Sequence, residues 1–205
     1  MTIYRQDACH AGQARKLMVN ATFVDVDLAP SIDGELRAIL QGEGLAEEQL
    51  PMYDLSLRSE KGGLKVNLAP RTFLGMPRIF WVHHLRLRLS VLVPQSVDEQ
   101  VLVRCTSGNI TVAGLSAAEL IAETRSGDVM ISDCAVVSEL KATSASGDVT
   151  VEHTFCKGDC DLHASSGDIK LYHVVGAGLR ARTGSGDVAW NIIKVMWKCS
   201  QPRAM

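Results

Sequence analysis

Carboxylates recur at an almost fixed interval in this chain. Asp128, Asp148, Asp168 and Asp187 each follow a Ser-Gly pair, and Asn109 holds the same place one interval earlier. Stacked at the ~4.8 Å spacing of neighbouring strands, such carboxylates would repel one another by about 1 kcal/mol per pair in water. Calcium relieves such repulsion in acidic β-roll turns, which makes the four aspartates calcium candidates. Backbone amides satisfy turn carboxylates equally well. The amide reading is preferred, because calcium-binding rolls place many more oxygens per turn.

A second constellation lies in "EHTFCKGDCDLH", with His153, Cys156, Cys160 and His163. Zinc takes such ligands. The C-x3-C spacing is looser than usual, however, and Cys160 falls where Leu120 and Leu140 stand in earlier units. A buried small hydrophobe accounts for it better. His153 and His173 share one repeat position with Asp133, where they would form a polar ladder at a strand end. His84, Arg86 and Arg88, with Arg71 and Arg78, could hold a polyanion, although a solvated strand face is the simpler reading. The serines recur because corners recur, whereas a catalytic serine would be singular. "GAG" at 176–178 precedes a strand, not the helix that a dinucleotide fingerprint needs. The expectation is therefore no catalytic residue, no cofactor and no metal.

These residues must be placed by a repeat. Its serines stand at Ser107, Ser126, Ser146, Ser166 and Ser185, in steps of 19, 20, 20 and 19. Three and five residues after each serine come Ile110/Val112, Val129/Ile131, Val149/Val151, Ile169/Leu171 and Val188/Trp190. Six, four and two residues before it runs a second alternation, illustrated by Leu120, Ala122 and Thr124 or by Leu140, Ala142 and Ser144. Alternation at period two marks half-buried strands. Each unit thus holds two short strands and two turns, with no room for a helical crossover. Antiparallel hairpins and stacked coils both fit that length, but only in-register stacking sets like on like. The expected fold is all-β: a flattened parallel β-solenoid (a single-stranded β-helix or β-roll) with coils of ~20 residues and a less regular N-terminal β cap region. Glycine permits a positive φ at each corner.

The organisation follows. Residues 1–22 read as a lead-in, 23–98 as an irregular β-region capping the stack, 99–195 as the regular solenoid and 196–205 as a tail. Within the cap, "FVDVDLAP" and "ELRAIL" read as a strand pair, and "HHLRLRLSVLVP" as a longer strand. "LSLRSEKGGLKV" overlays the corner "LIAETRSGDVMI" without a gap, with Lys61-Gly62-Gly63 in place of Ser-Gly-Asp.

Of 205 residues 46% are hydrophobic and only 5% aromatic, so the core must be aliphatic. A net charge of −2 gives no argument for nucleic acid. No secretion signal or membrane span is apparent, and the six cysteines are scattered, which reads as a cytoplasmic chain with free thiols. From "LSVLVPQSVDEQVLVRCTSGNITV" through "TRSGDV", "SASGDV", "SSGDI" and "GSGDV", over roughly residues 19–190, the chain resembles a bacterial β-strand-repeat family of unknown function (DUF4097-like), labelled "putative adhesin". That resemblance implies an all-β repetitive fold and an envelope-associated binding role, and it carries no catalytic residues. The leading functional expectation is a non-enzymatic, adhesin-like scaffold that binds a protein or glycan surface. One alternative is a carbohydrate-active β-helix enzyme, although near-minimal coils leave little chain for a cleft. Another is a cytosolic regulatory module that self-assembles through the solenoid end.

Overall fold

Strand-forming alternation runs through most of the chain, and the computed structural model folds it as strands. It describes residues 2–43, 53–60, 62–70, 72–73, 76–77, 86–191 and 194–195. The N-terminal strands are β1 (Thr2–His10), β2 (Lys16–Ala21), β3 (Asp25–Pro30), β4 (Glu35–Glu43), β5 (Tyr53–Glu60), β6 (Gly63–Pro70), β7 (Thr72–Phe73), β8 (Met76–Pro77) and β9 (Arg86–Val93). The repeat region supplies β10 (Gln100–Ser107), β11 (Ile110–Ala113), β12 (Ser116–Ser126), β13 (Val129–Ser132), β14 (Ala135–Ser146) and β15 (Val149–Glu152). It continues with β16 (Phe155–Ser166), β17 (Ile169–Tyr172), β18 (Val175–Ser185), β19 (Val188–Asn191) and β20 (Lys194–Val195). Among the described residues there is no helix, and hence none long and apolar enough to cross a membrane.

Two nine-stranded sheets face each other. One runs β1-β4-β9-β3-β11-β13-β15-β17-β19 and the other β20-β18-β16-β14-β12-β10-β2-β6-β5. The regular strands pair in parallel and in register, so Val129 lies beside Val149 and Val149 beside Ile169. In the facing sheet Ala122, Ala142 and Leu162 form the matching row. All six are buried in one aliphatic core. The fold is thus the expected flattened parallel β-solenoid. Small residues fill several of its inward positions, among them Ala122, Thr124, Ala142, Ser144 and Ala164.

The unequal steps have a local cause. Pairing of β12 with β14 shifts register between Ala117 and Glu119, because β14 carries one residue more. The same shift recurs between β16 and β18 after Cys156. The two 20-residue steps each contain such a bulge, and the two 19-residue steps contain none. A bulge absorbs an extra residue without disturbing the inward alternation on either side of it. Val137, next to inward Val136, faces outward and is 56% exposed.

The N-terminal region differs from the expected cap in three respects. Strands β2 and β3 form a full coil directly beneath β10 and β11, although residues 31–99 intervene in the chain. The segment "LSLRSEKGGLKV" does not turn a solenoid corner. It makes an antiparallel hairpin within one sheet, β5 on β6, with Glu60 opposite Gly63. Gly62 there has φ +78°, a left-handed value suited to a tight reversal, whereas the repeat glycines lie at +137° to +147°. Likewise β3 and β4 are not partners, since β9 lies between them, parallel to β3 and antiparallel to β4. Of "HHLRLRLSVLVP", the strand from Arg86 is present, and His84 lies outside the described residues.

The repeat glycine is required sterically. At Gly147 (φ +144°) a Cβ would come within 2.2 Å of the Gly127 carbonyl oxygen in the coil beneath. At Gly12 (φ +55°) a Cβ would meet nothing within 4 Å. Gly147→Ala is expected to lower stability by about 2–3 kcal/mol and Gly12→Ala by about 1 kcal/mol, read from urea midpoints. Equal losses would show that the corner is not closely stacked. A second prediction concerns the residue two before each serine. Thr124, Ser144 and Thr183 donate hydroxyl hydrogen bonds to the carbonyls of Gly108, Gly127 and Gly167, at 3.1, 2.8 and 2.8 Å. Ala164 interrupts that series. Ala164→Ser supplies the missing donor to the Gly147 carbonyl and is expected to raise stability by about 0.5–1 kcal/mol, with an unchanged or lowered midpoint counting against it.

Candidate functional site

Two lines of corners join the sheets, and each gathers one of the sequence's candidate sets. At the Ser-Gly-Asp corner the aspartates form a ladder from side chain to backbone. Asn109 Oδ1 accepts the Asp128 amide N–H at 2.8 Å, and Asp128 Oδ1 accepts that of Asp148 at 2.8 Å. Asp148 Oδ1 then accepts the Asp168 amide at 2.9 Å, and Asp168 Oδ1 the Asp187 amide at 3.0 Å. The four calcium candidates are therefore together, but one oxygen of Asp128, Asp148 and Asp168 is committed to an amide. Charge is relieved further by Lys170, whose Nζ donates to Asp148 Oδ2 at 2.7 Å and lies 3.7 Å from Asp168 Oδ2. The Lys170 hydrogen bond, helped by the Asp168 amide, holds the Asp148 carboxyl below the usual aspartate value.

The ladder has a first rung that the serine count overlooked. Asp25 Oδ1 accepts the Asn109 amide at 2.8 Å. The signal was present, since Asp25-Val26-Asp27-Leu28 repeats the Asp-apolar-x-apolar order of Asp128-Val129-Met130-Ile131. What hid it was the absence of a preceding Ser-Gly.

The four zinc candidates are not brought together. Cys156 and Cys160 are buried among the inward residues of β16, while His163 is exposed on the outer face of that strand. Burial pushes both thiols up, Cys160 far more strongly. His153 lies exposed at the opposite corner. Among the described residues no set of three or more His, Cys, Asp or Glu side chains is arranged to hold a metal ion.

That opposite corner carries Gly114, Asp133, His153 and His173, all at positive φ between 45° and 69°. Asp and His tolerate this left-handed region better than most residues. Their side chains project outward at the edge of the stack, and the His153 and His173 rings stack with centroids 4.9 Å apart. The expected polar ladder thus exists between these two. Of the basic stripe, Arg88 Nε is paired with Asp27 Oδ2 at 3.0 Å, and Arg71 and Arg78 lie outside the described residues.

The outer face of the second sheet holds a shallow groove of about 500 Å³ beside the Ser-Gly-Asp corner. Asn20, Arg104 and Glu123 line it three residues before the corner, and Thr22, Thr106, Arg125 and Ala145 line it one residue before. The second row is mostly short, which creates the depression. Glu123 Oε2 accepts from Arg104 Nε at 2.9 Å, and Glu123 Oε1 accepts from Lys141 Nζ at 3.2 Å. Partial burial pushes the Glu123 carboxyl up, but these two cations outweigh it and the net shift is down. Arg104 and Glu123 were legible as outward residues. The groove was not, because it depends on neighbours from four different coils.

The Toastrack DUF4097 family model matches residues 15–201. The chain belongs to that family. This Toastrack chain is also similar to solved structures at low identity. A "putative cell adhesion protein" from Clostridium sporogenes ATCC 15579 is 8% identical, covering 92% of this chain and 98% of its own, with a TM-score of 0.41. A "putative adhesin" from Bacteroides fragilis NCTC 9343 is 11% identical, covering 90% and 95%, with a TM-score of 0.41. A "putative lipid binding protein" from Parabacteroides distasonis ATCC 8503 is 13% identical, covering 92% and 95%, with a TM-score of 0.36. No curated protein matches the chain.

The Toastrack ladder makes an exacting test of what the aspartate does. Asn109 already accepts the next amide at 2.8 Å, so an acceptor suffices and charge is secondary. Asp148→Asn is expected to cost about 0.5 kcal/mol through the lost Lys170 pair, which is exposed enough to be screened. Asp148→Ala is expected to cost about 1–2 kcal/mol, because the Asp168 N–H loses its partner. The folded carboxyl titrates below the ordinary aspartate value of 3.8. Its contribution is therefore complete above that pH and is lost as pH falls through the lower folded value. Acid titration should show that slope in the wild type and not in Asp148→Asn. Equal costs for Asn and Ala would assign the role to charge instead.

Proposed function

We propose that this Toastrack protein is a non-enzymatic, adhesin-like β-scaffold associated with the cell envelope, which presents the outer face of its second sheet to a protein or glycan surface. The observation that carries this reading is the groove lined by Arg104, Glu123 and Arg125 on the outer face of the second sheet. A shallow, mixed-charge depression suits hydrogen-bonding contact with another surface better than enclosure of a reacting molecule. Membership of the family supports the same reading.

The other sequence candidates favour no reaction. Aspartates in an enzyme cleft would need free oxygens and a substrate between them. Here the column is cross-linked by the amides of the next coil. Buried thiols with raised pKa values are poor nucleophiles, which fits Cys134, Cys156 and Cys160 as core residues.

A glycan array, together with capture from a bacterial envelope fraction, tests the proposal. The wild type is expected to retain at least one glycan or protein class. The double variant Arg104→Gln/Arg125→Gln is expected to lose that retention by roughly tenfold or more while its thermal midpoint falls by no more than about 3 °C, the share of the screened Arg104–Glu123 pair. Absence of any retained class, or equal retention by the variant, would defeat the proposed use of this face.

A further inference from the structure

The left-handed corner holds a pair of imidazoles that the binding role does not use. His173 Nδ1 and His153 Nε2 are 3.1 Å apart, the rings are inclined by 27°, and both side chains are exposed. We propose that His153 and His173 form a two-imidazole chelate for a divalent transition-metal ion of the nickel, copper and zinc class.

The distance is the first argument. Two nitrogens bound at about 2.0–2.1 Å to one ion, with an angle between 90° and 109°, lie about 2.9–3.4 Å apart. The observed separation falls within that bite. Two neutral rings at this distance share one N–H, and an ion takes the place of that proton after a modest turn of the rings. Imidazole is the ligand that suits these metals, whereas calcium and magnesium prefer oxygen.

The backbone is the second argument, because both histidines are held before any ion arrives. Each adopts φ of 45° or 53°. Each amide is fixed by the coil above, His153 N–H to the Tyr172 carbonyl at 2.9 Å and His173 N–H to the Asn191 carbonyl at 2.8 Å. In-register stacking therefore sets the spacing of the pair, and little ordering is left for binding to impose. Position in the field is the third argument. Asp133 occupies the same corner position one coil below, and Glu152 immediately precedes His153. Both add negative charge near the pair. Exposure leaves the remaining coordination positions to water or to a donor from a bound partner.

This pair differs from the sulfur-containing set read from the sequence, since Cys156 and Cys160 face the core. It also involves none of the groove residues, so its failure would leave the proposed binding face untouched.

The test is equilibrium dialysis of the full chain against Ni²⁺, repeated with Zn²⁺. Asparagine tolerates left-handed φ, so His153→Asn and His173→Asn remove one ligand each while sparing the corner, and circular dichroism checks their folding. The wild type is expected to take up one ion per chain with Kd on the order of 10 µM, and each variant to bind roughly tenfold more weakly or worse. Asp133→Asn is expected to weaken uptake by no more than about threefold, as a charge that does not coordinate. Folded variants that bind as tightly as the wild type would place the ion elsewhere and overturn the proposal. A wild type that binds neither ion below 1 mM, a ligand concentration about a hundredfold above the expected Kd, would do the same.

Discussion

In the Ser-Gly-Asp corner a side-chain oxygen of one coil holds a backbone amide of the next, and the coils cannot slide past one another without breaking that series. Strand hydrogen bonds alone would allow slippage by two residues, which keeps the same face inward. The corner forbids it, because the glycine carbonyl beneath leaves no room for a Cβ and the aspartate reaches a single amide. Once Asp128, Asp148 and Asp168 are in line, Val129, Val149 and Ile169 must be in line as well. The aliphatic core is thus a consequence of the corner's register as much as of hydrophobicity. Asn109 serves in the series as well as aspartate does, which identifies hydrogen bonding as the essential chemistry.

How much was legible follows from that coupling. In the regular coils each residue type is dictated by a neighbour of the same type, so the columns were readable and inward Cys160 was placed correctly among leucines. Bulges were not locatable, because an extra residue in a 20-residue step can enter at any exposed point. The structure puts it at 137–138 and 157–158, away from both corners. The cap was misread where local similarity competed with tertiary pairing. "RSEKGGLK" resembles a corner in composition, yet with Gly62 at +78° the chain reverses within its own sheet. Likewise, the coil formed by β2 and β3 was hidden because its partner strands are distant in sequence. The stacked histidines were foreseeable from their shared column; their nitrogen separation required coordinates.

The two ends of the stack are finished differently. Strands β1 and β5 lie at the sheet margins of the N-terminal end, each paired antiparallel to its inner neighbour. They expose Arg5 and His10 on one sheet and Asp54, Arg58 and Glu60 on the other. Charged side chains on edge strands oppose further pairing. At the other end, Leu179, Ala181 and Val188 continue the core columns but are only partly buried. Trp190 is 62% exposed, whereas its column partners Ile131, Val151 and Leu171 are completely buried. The same inward column therefore changes from core to surface within one coil.

A solenoid of this kind separates its tasks by column. Inward columns must stay apolar or carry a hydroxyl bonded to the coil beneath, as Thr124 and Ser144 do, and the Ser-Gly-Asp corner must keep glycine and an acceptor. Those positions have no freedom to acquire a function. Variation is tolerated in the outward columns of the two faces and at the left-handed corner, where Gly114, Asp133, His153 and His173 occupy equivalent backbone positions with three different side chains. A side chain repeated in an outward column meets its own copy one coil away, so a single repeated histidine becomes a chelating pair. A row of short side chains becomes a groove when it runs beside a row of long ones. Function in such a fold arises from adjacent coils, whose spacing the inward columns have already set.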